Sequence, residues 1–118
     1  MEILNELEKM LSSIDCLIEK FENVNIEDEV DVESALNLFS TAVKHNVILK
    51  GLVDYNNEHK ENILDLAILC LTVVNNAYES LDNPNQETRQ KFIDIINMSL
   101  MMSKTYLYLY KYILTQSW

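Results

Sequence analysis

The stretch that decides the fold is ILDLAILCLTVVNNAYESL, at positions 63–81. Its central part, Leu66 to Val74, is apolar apart from Thr72, and the nearest charges on either side are acidic. The run is too short and too closely flanked by acids to span a bilayer. It also lacks the alternation of a strand, so it predicts a helix near 59–81. Because this helix is apolar on two adjoining faces, we expect the other helices to cover it on most sides.

A second helix is predicted over residues 2–22 by a regular apolar repeat. The seam residues are spaced 4, 3, 4, 3 and 4 apart: Ile3, Leu7, Met10, Ile14, Leu17 and Phe21. This spacing is typical of a helix that packs along a nearly parallel or antiparallel neighbour. Leu4, Leu11 and Ile18 widen the seam to the apolar face of a globular bundle.

Two further helices are predicted near 33–50 and 86–115. Gly51 is placed to cap the first of them at its carboxyl end. The sequence Asp82-Asn83-Pro84-Asn85 ends the preceding helix, and Asn83 or Asn85 can cap the last one. With one Gly and one Pro in 118 residues, we predict an all-α fold, a mainly antiparallel four-helix bundle formed by a single domain over 1–118.

The net charge of −10 is unevenly distributed along the chain. Residues 1–59 hold 13 acids and 4 bases, whereas residues 60–118 hold 6 acids and 5 bases. No basic patch could neutralise phosphates, so we expect no direct binding to nucleic acid or membrane and a basic protein as partner. Cys16 is predicted to be exposed and Cys70 buried, which excludes a disulfide between them. With an acidic start and no secretory signal, the chain is expected to be cytoplasmic.

The densest acidic stretch is ENVNIEDEVDVE at 22–33, which has six acids and no base. Asn25 or Asp31 could cap a helix here, and acids in a first turn complement the helix dipole. A calcium loop is excluded because the stretch has no glycine. The candidate partner-binding residues in this stretch are Glu27, Asp28, Glu29, Asp31 and Glu33.

The last helix supplies a second candidate surface. On a helical wheel Met101, Tyr108 and Tyr112 fall on the otherwise polar side of this helix. Methionine and tyrosine on an outward face are typical of interfaces with a partner or a second copy. The two later helices also have more apolar surface than four short helices easily hide, so we expect a homodimer.

No catalytic set, cofactor-binding motif or metal site follows from the spacing of reactive residues. One glycine cannot form a phosphate-binding loop. His45 and His59 have no second ligand at metal-binding spacing, and no Ser-His-Asp or Cys-His grouping occurs. We therefore predict no catalytic residues, no cofactor and no bound metal.

One acidic pattern resembles a known enzyme family. Glu58 and Glu61 form an ExxE, and Glu79 and Asp82 form an ExxD. The pair is similar to the magnesium-binding motifs of all-α nucleotide pyrophosphatases of the MazG and dimeric dUTPase type. The resemblance implies a magnesium-dependent nucleotide hydrolase, but it covers four residues. In that family the two motifs lie on facing helices, whereas an unbroken helix here would separate Glu58 from Asp82 by roughly 36 Å.

Three functional hypotheses follow. The favoured one is a non-catalytic acidic protein–protein interaction module that binds a basic surface of a protein target. Such a module could serve as an inhibitor, adaptor or immunity-type factor of mobile-element or viral origin. The alternatives are the magnesium-dependent pyrophosphatase and a structural subunit of a larger assembly.

Overall fold

A computed structural model describes residues 2–56 and 62–116 of the chain. The described residues form four α-helices and no strand: α1 (Glu2–Glu22), α2 (Glu29–Asn56), α3 (Asn62–Glu79) and α4 (Gln86–Gln116). The predicted all-α bundle is confirmed. The bounds of α1 and α4 agree with the sequence prediction to within one residue.

The helices run alternately up and down and close into a ring. Each helix packs against the next in sequence, and α4 returns to pack against α1. Ion pairs mark the antiparallel register of this last contact: Lys104 Nζ lies 2.7 Å from Asp15 Oδ1, and Lys111 pairs with Glu8. Exposed pairs of this kind add little stability and mainly fix the alignment of the two helices.

The apolar seam of α1 forms one side of the core, as predicted. Leu7, Met10 and Ile14 are completely buried, and Leu17 and Phe21 are nearly so. Phe21 meets Phe39 of α2 edge to face, with ring centroids 6.1 Å apart. The heptad spacing therefore identified the buried face of α1 correctly.

Helix α2 corrects two predicted boundaries. The predicted start at 33 is four residues late, because Asp28 Oδ1 accepts the backbone N–H groups of Val30 (3.0 Å) and Asp31 (3.4 Å) and caps the helix there. The predicted C-cap at Gly51 is wrong, since the helix continues through this glycine to Asn56. Val53, beyond the glycine, is 1 % exposed, so burial of the following turn outweighs the helix-ending preference of Gly51.

The prediction that the helix of the 63–81 run is covered on most sides is wrong for α3. It packs against α2 and α4, and among the described residues it makes no contact with α1. Its buried face is formed by Leu64, Ala67, Ile68 and Leu71, and by Asn75. The opposite side of the same apolar run, with Leu66, Leu69 and Val73, stays exposed. The helix ends at Glu79, before the predicted residue 81, and the predicted start at 59 lies outside the described residues.

Helix α4 begins after the predicted stop. Asn85 Oδ1 accepts the backbone N–H of Thr88 at 2.8 Å and so caps the helix, as one of the two expected asparagines. Asn83 takes a left-handed backbone conformation, with φ of 48°, in the turn that precedes it. Two apolar residues of α4, Ile95 and Met102, are 43 % and 49 % exposed. None of the described helices is long and apolar enough to cross a membrane.

Candidate functional site

Two of the five acidic candidates are used to build the α1–α2 connection. Asp28 caps α2, as described above. Asp31 Oδ2 accepts the backbone N–H of Asn25 at 2.7 Å, and its Oδ1 lies 3.2 Å from Lys20 Nζ on α1. The hydrogen bond from Asn25, followed by the pairing with Lys20, lowers the pKa of the Asp31 carboxyl. These two carboxylates hold the loop in place and are only partly available to a partner.

Replacing Asp31 by Asn should reduce stability at neutral pH and matter less in acid. A carboxyl whose pKa is lowered by folding stabilises the protein at pH values above the pKa of that carboxyl in the unfolded chain, which is near the ordinary value of 3.8. The stabilisation is lost as the pH falls through the lower pKa of the folded state. Urea unfolding at pH 7 and at pH values below 3.8 should therefore show a gap between wild type and D31N that closes in acid. Glu27→Gln, at an exposed carboxylate, is the matched control, and an equal D31N gap at both pH values would contradict the assignment.

The other three candidates, Glu27, Glu29 and Glu33, are exposed. Within the described part of the chain their carboxylates make no ion pair and accept no hydrogen bond. Glu29 and Glu33 stand four residues apart on α2, so like charges repel along one helix face. The favourable position of Glu29 in the first turn of α2, near the positive end of the helix dipole, offsets this repulsion.

An apolar side chain lies among these acids. Val30 is 77 % exposed, next to Glu29 and three residues before Glu33. It borders an open depression of about 310 Å³ that is also lined by Glu33, Ser34 and Asn37. We call Val30 with Glu27, Glu29 and Glu33 the Val30 patch. Sequence reasoning found its acids but missed Val30, whose place in the first turn of α2 was hidden by the late predicted start of the helix.

The fold gathers further acids at the same end of the bundle. The α1–α2 and α3–α4 connections lie together there, joined by the Gln90 Nε2 group, which donates to the Ile26 carbonyl oxygen at 2.8 Å. Segments 19–33 and 79–91 contain three bases and ten acids, namely Glu19, Glu22, Glu27, Asp28, Glu29, Asp31, Glu33, Glu79, Asp82 and Glu87. The other described segments are nearly balanced, with seven acids and five bases. The acidic residues, which are unevenly distributed along the sequence, are thus concentrated at one end of the bundle.

The candidates on the last helix form a separate surface. Met101, Tyr108 and Tyr112 are 49 %, 48 % and 61 % exposed. Lys104 Nζ lies 5.9 Å from the centre of the Tyr108 ring, a cation–π contact beside the ion pair to Asp15. These side chains therefore lie away from the Val30 patch, and the structure does not bring the two sets together.

Only part of the acidic pattern that resembles the pyrophosphatases lies within the described residues. Glu58 and Glu61 lie outside the described residues. Glu79 accepts a hydrogen bond of 2.6 Å from Ser40 Oγ and pairs with Lys44 Nζ at 3.2 Å, and these contacts, led by Ser40, lower its pKa. Across residues 2–56 and 62–116 no group of three or more potential metal ligands occurs. Glu79 here links α3 to α2.

Both cysteines are free. Cys16 is exposed, as predicted, whereas Cys70 is only half-buried rather than fully buried. The Cys70 thiol can donate to the carbonyl oxygens of Ala67 (3.2 Å) and Ser99 (3.6 Å), and burial raises its pKa. A thiol held protonated at the α3–α4 contact is a poor nucleophile at neutral pH.

The chain was compared with known proteins. No protein-family model, curated protein sequence or solved structure matches it.

Proposed function

We propose that this protein is a non-catalytic interaction module that binds a basic surface of a protein partner through the Val30 patch. The observation that supports the proposal most directly is the exposed apolar side chain of Val30 among three carboxylates without internal partners. The biological role would be that of an inhibitor, adaptor or immunity-type factor.

The arrangement has the two components that a protein interface needs. An apolar side chain that is buried on binding contributes affinity, and surrounding charges select the partner and guide its approach. Carboxylates without cations of their own can each accept hydrogen bonds from lysine or arginine side chains of a partner. Acids that served only to keep the protein in solution would not need to surround an exposed valine.

A direct test uses a fluorescein-labelled amphipathic helical peptide with a leucine stripe flanked by lysine and arginine. We expect fluorescence anisotropy to show binding at about 50 mM NaCl that weakens steeply by about 300 mM. Glu29→Gln/Glu33→Gln should weaken binding roughly tenfold, because it removes two close charge contacts from the patch. Val30→Ser should weaken binding at every salt concentration.

The control removes the same charge elsewhere. Glu8→Gln/Asp94→Asn changes two exposed acids outside the acidic end of the bundle and should alter affinity by less than about twofold. Equal losses in the two double variants would show an effect of net charge alone and would contradict the proposal. So would equal binding of a peptide with the same composition in scrambled order.

A further inference from the structure

The exposed side of α3 and the neighbouring side of α4 form an apolar surface. On α3 it consists of Leu66, Leu69 and Val73, and on α4 of Ile95, Met98 and Met102, with exposed fractions between 43 % and 68 %. Each set follows the spacing i, i+3, i+7, so each forms one stripe along its helix. We call the two stripes together the α3/α4 face.

The two stripes run beside each other along the contact of α3 with α4. Cys70, next to Leu69, contacts the carbonyl oxygen of Ser99, next to Met98. Further along the same antiparallel contact the rings of Tyr78 and Phe92 pack at 5.1 Å between centroids. The two stripes therefore lie at the same level of two adjoining helices, and Leu69 also borders a depression that it shares with Val47 and Lys50 of α2.

The centre of this surface carries no charge, although the chain has a net charge of −10, and Asp65 and Asp94 stand at its edges. Positions 66–78 of α3 and 95–103 of α4 contain no acidic or basic residue. Two copies of a strongly acidic protein repel each other wherever their carboxylates approach, so they can associate closely only through an uncharged surface.

The size of the surface also suits a dimer. From their exposed fractions, the six residues offer on the order of 600 Å² of accessible surface. Monomeric proteins rarely expose a contiguous apolar patch of more than a few hundred Å², whereas stable interfaces bury about 800 Å² from each partner. Methionine side chains adapt to one another without exact complementarity, which favours contact of a surface with its own copy.

We propose that a second copy of this chain covers the α3/α4 face, giving a two-fold dimer in which α3 and α4 of both protomers form the interface. The face differs from the α4 surface predicted from sequence, which stays a prediction: Met101 borders the α3/α4 face, whereas Tyr108 lies beside Lys104 and its contact to α1. The Val30 patch lies on the first turn of α2 and remains open in such a dimer.

The test is the molar mass in solution of wild type and of Val73→Asp/Met98→Asp. We expect wild type to sediment at twice the 13.8 kDa of one chain at micromolar concentration. The variant should raise the dimer dissociation constant at least a hundredfold, because four aspartates would be buried without partners across the two-fold axis. Both replaced side chains are more than half exposed in the monomer, so helical circular dichroism should be unchanged.

The matched control places the same residues on another exposed apolar site. Ile48 and Tyr55 of α2 are 63 % and 89 % exposed, and Ile48→Asp/Tyr55→Asp should remain dimeric. A monomeric wild type, a V73D/M98D dimer or a monomeric control would each overturn the proposal. Binding of a monomeric wild type to neutral phosphatidylcholine vesicles would assign the face to a lipid surface instead. Glu29→Gln/Glu33→Gln should stay dimeric, so failure of this inference and failure of the proposed function can be distinguished.

Discussion

Replacing Phe39 by alanine is expected to lower the free energy of unfolding by about 3–5 kcal/mol. Phe39 is 1 % exposed and meets Phe21 of α1 edge to face at an interplanar angle of 81°. The substitution removes a whole ring from the core, and the rigid helices on both sides cannot close the cavity. Urea unfolding followed by circular dichroism measures the effect, which is a large part of the usual stability of a domain of this size.

Two further variants show whether the loss comes from the core. Tyr55→Ala removes a ring that is 89 % exposed on the same helix and should change stability by less than about 0.5 kcal/mol. A double-mutant cycle with Phe21→Ala should give a coupling of about 0.5–1.5 kcal/mol for the ring pair. If F39A does not fold, Phe39→Leu can be measured in its place. A loss below about 1 kcal/mol would mean that α1 does not pack on α2 as described.

Replacing Asn46 by leucine is expected to raise the free energy of unfolding by about 1–3 kcal/mol. Asn46 is completely buried in α2, and its amide nitrogen and oxygen have no hydrogen-bond partner in the described part of the protein. A buried polar group without a partner carries its full cost of desolvation. Leucine has the same branching as asparagine and no polar atoms, so it should occupy the site without that cost once the neighbouring side chains make room for its two methyl groups.

Asn75 provides the contrast for this substitution. It is 3 % exposed, but its Nδ2 donates to Glu79 Oε1 at 3.4 Å. Asn75→Leu removes this contact and should therefore give no comparable gain. A destabilised Asn46→Leu protein would show that the Asn46 amide binds a polar group that the apolar side chain displaces.

The parts of the fold that were predictable are those in which the local pattern agrees with the tertiary contacts. The seam of α1 repeats without interruption and is buried throughout, from Leu7 to Phe21. The start of α4 is equally well specified, because Asn85 supplies the capping oxygen directly after a proline. In both places one local sequence pattern, the apolar repeat or the capping asparagine, is enough to predict the structure.

The errors arose where distant contacts override a local preference. Gly51 has the residue type of a helix end, yet α2 continues because Val53 is buried and Lys50 pairs with Asp54 across the glycine at 2.5 Å. The run 63–81 has more apolar positions than one helix can bury. Which side faces the core depends on the placement of α2 and α4, and no pattern within the run contains that information.

The same limit applies to the candidate site. The acidic stretch was visible in the sequence, but five carboxylates in seven positions look alike there. Only their contacts separate Asp28 and Asp31, which build the loop, from Glu27, Glu29 and Glu33. The exposure of Val30 depends on where α2 begins, so the patch could be recognised only after that boundary was known.

The concentration of acids at one end gives the bundle a strong electric dipole along its length of 48 Å. A polycation that comes within about 10 Å, one Debye length at moderate salt, attracts the bundle and also exerts a torque on it. The two molecules turn so that the acidic end leads before any surfaces touch. Association with the basic partner proposed above would then depend on rotation during approach, and added salt should slow it by removing this orientation.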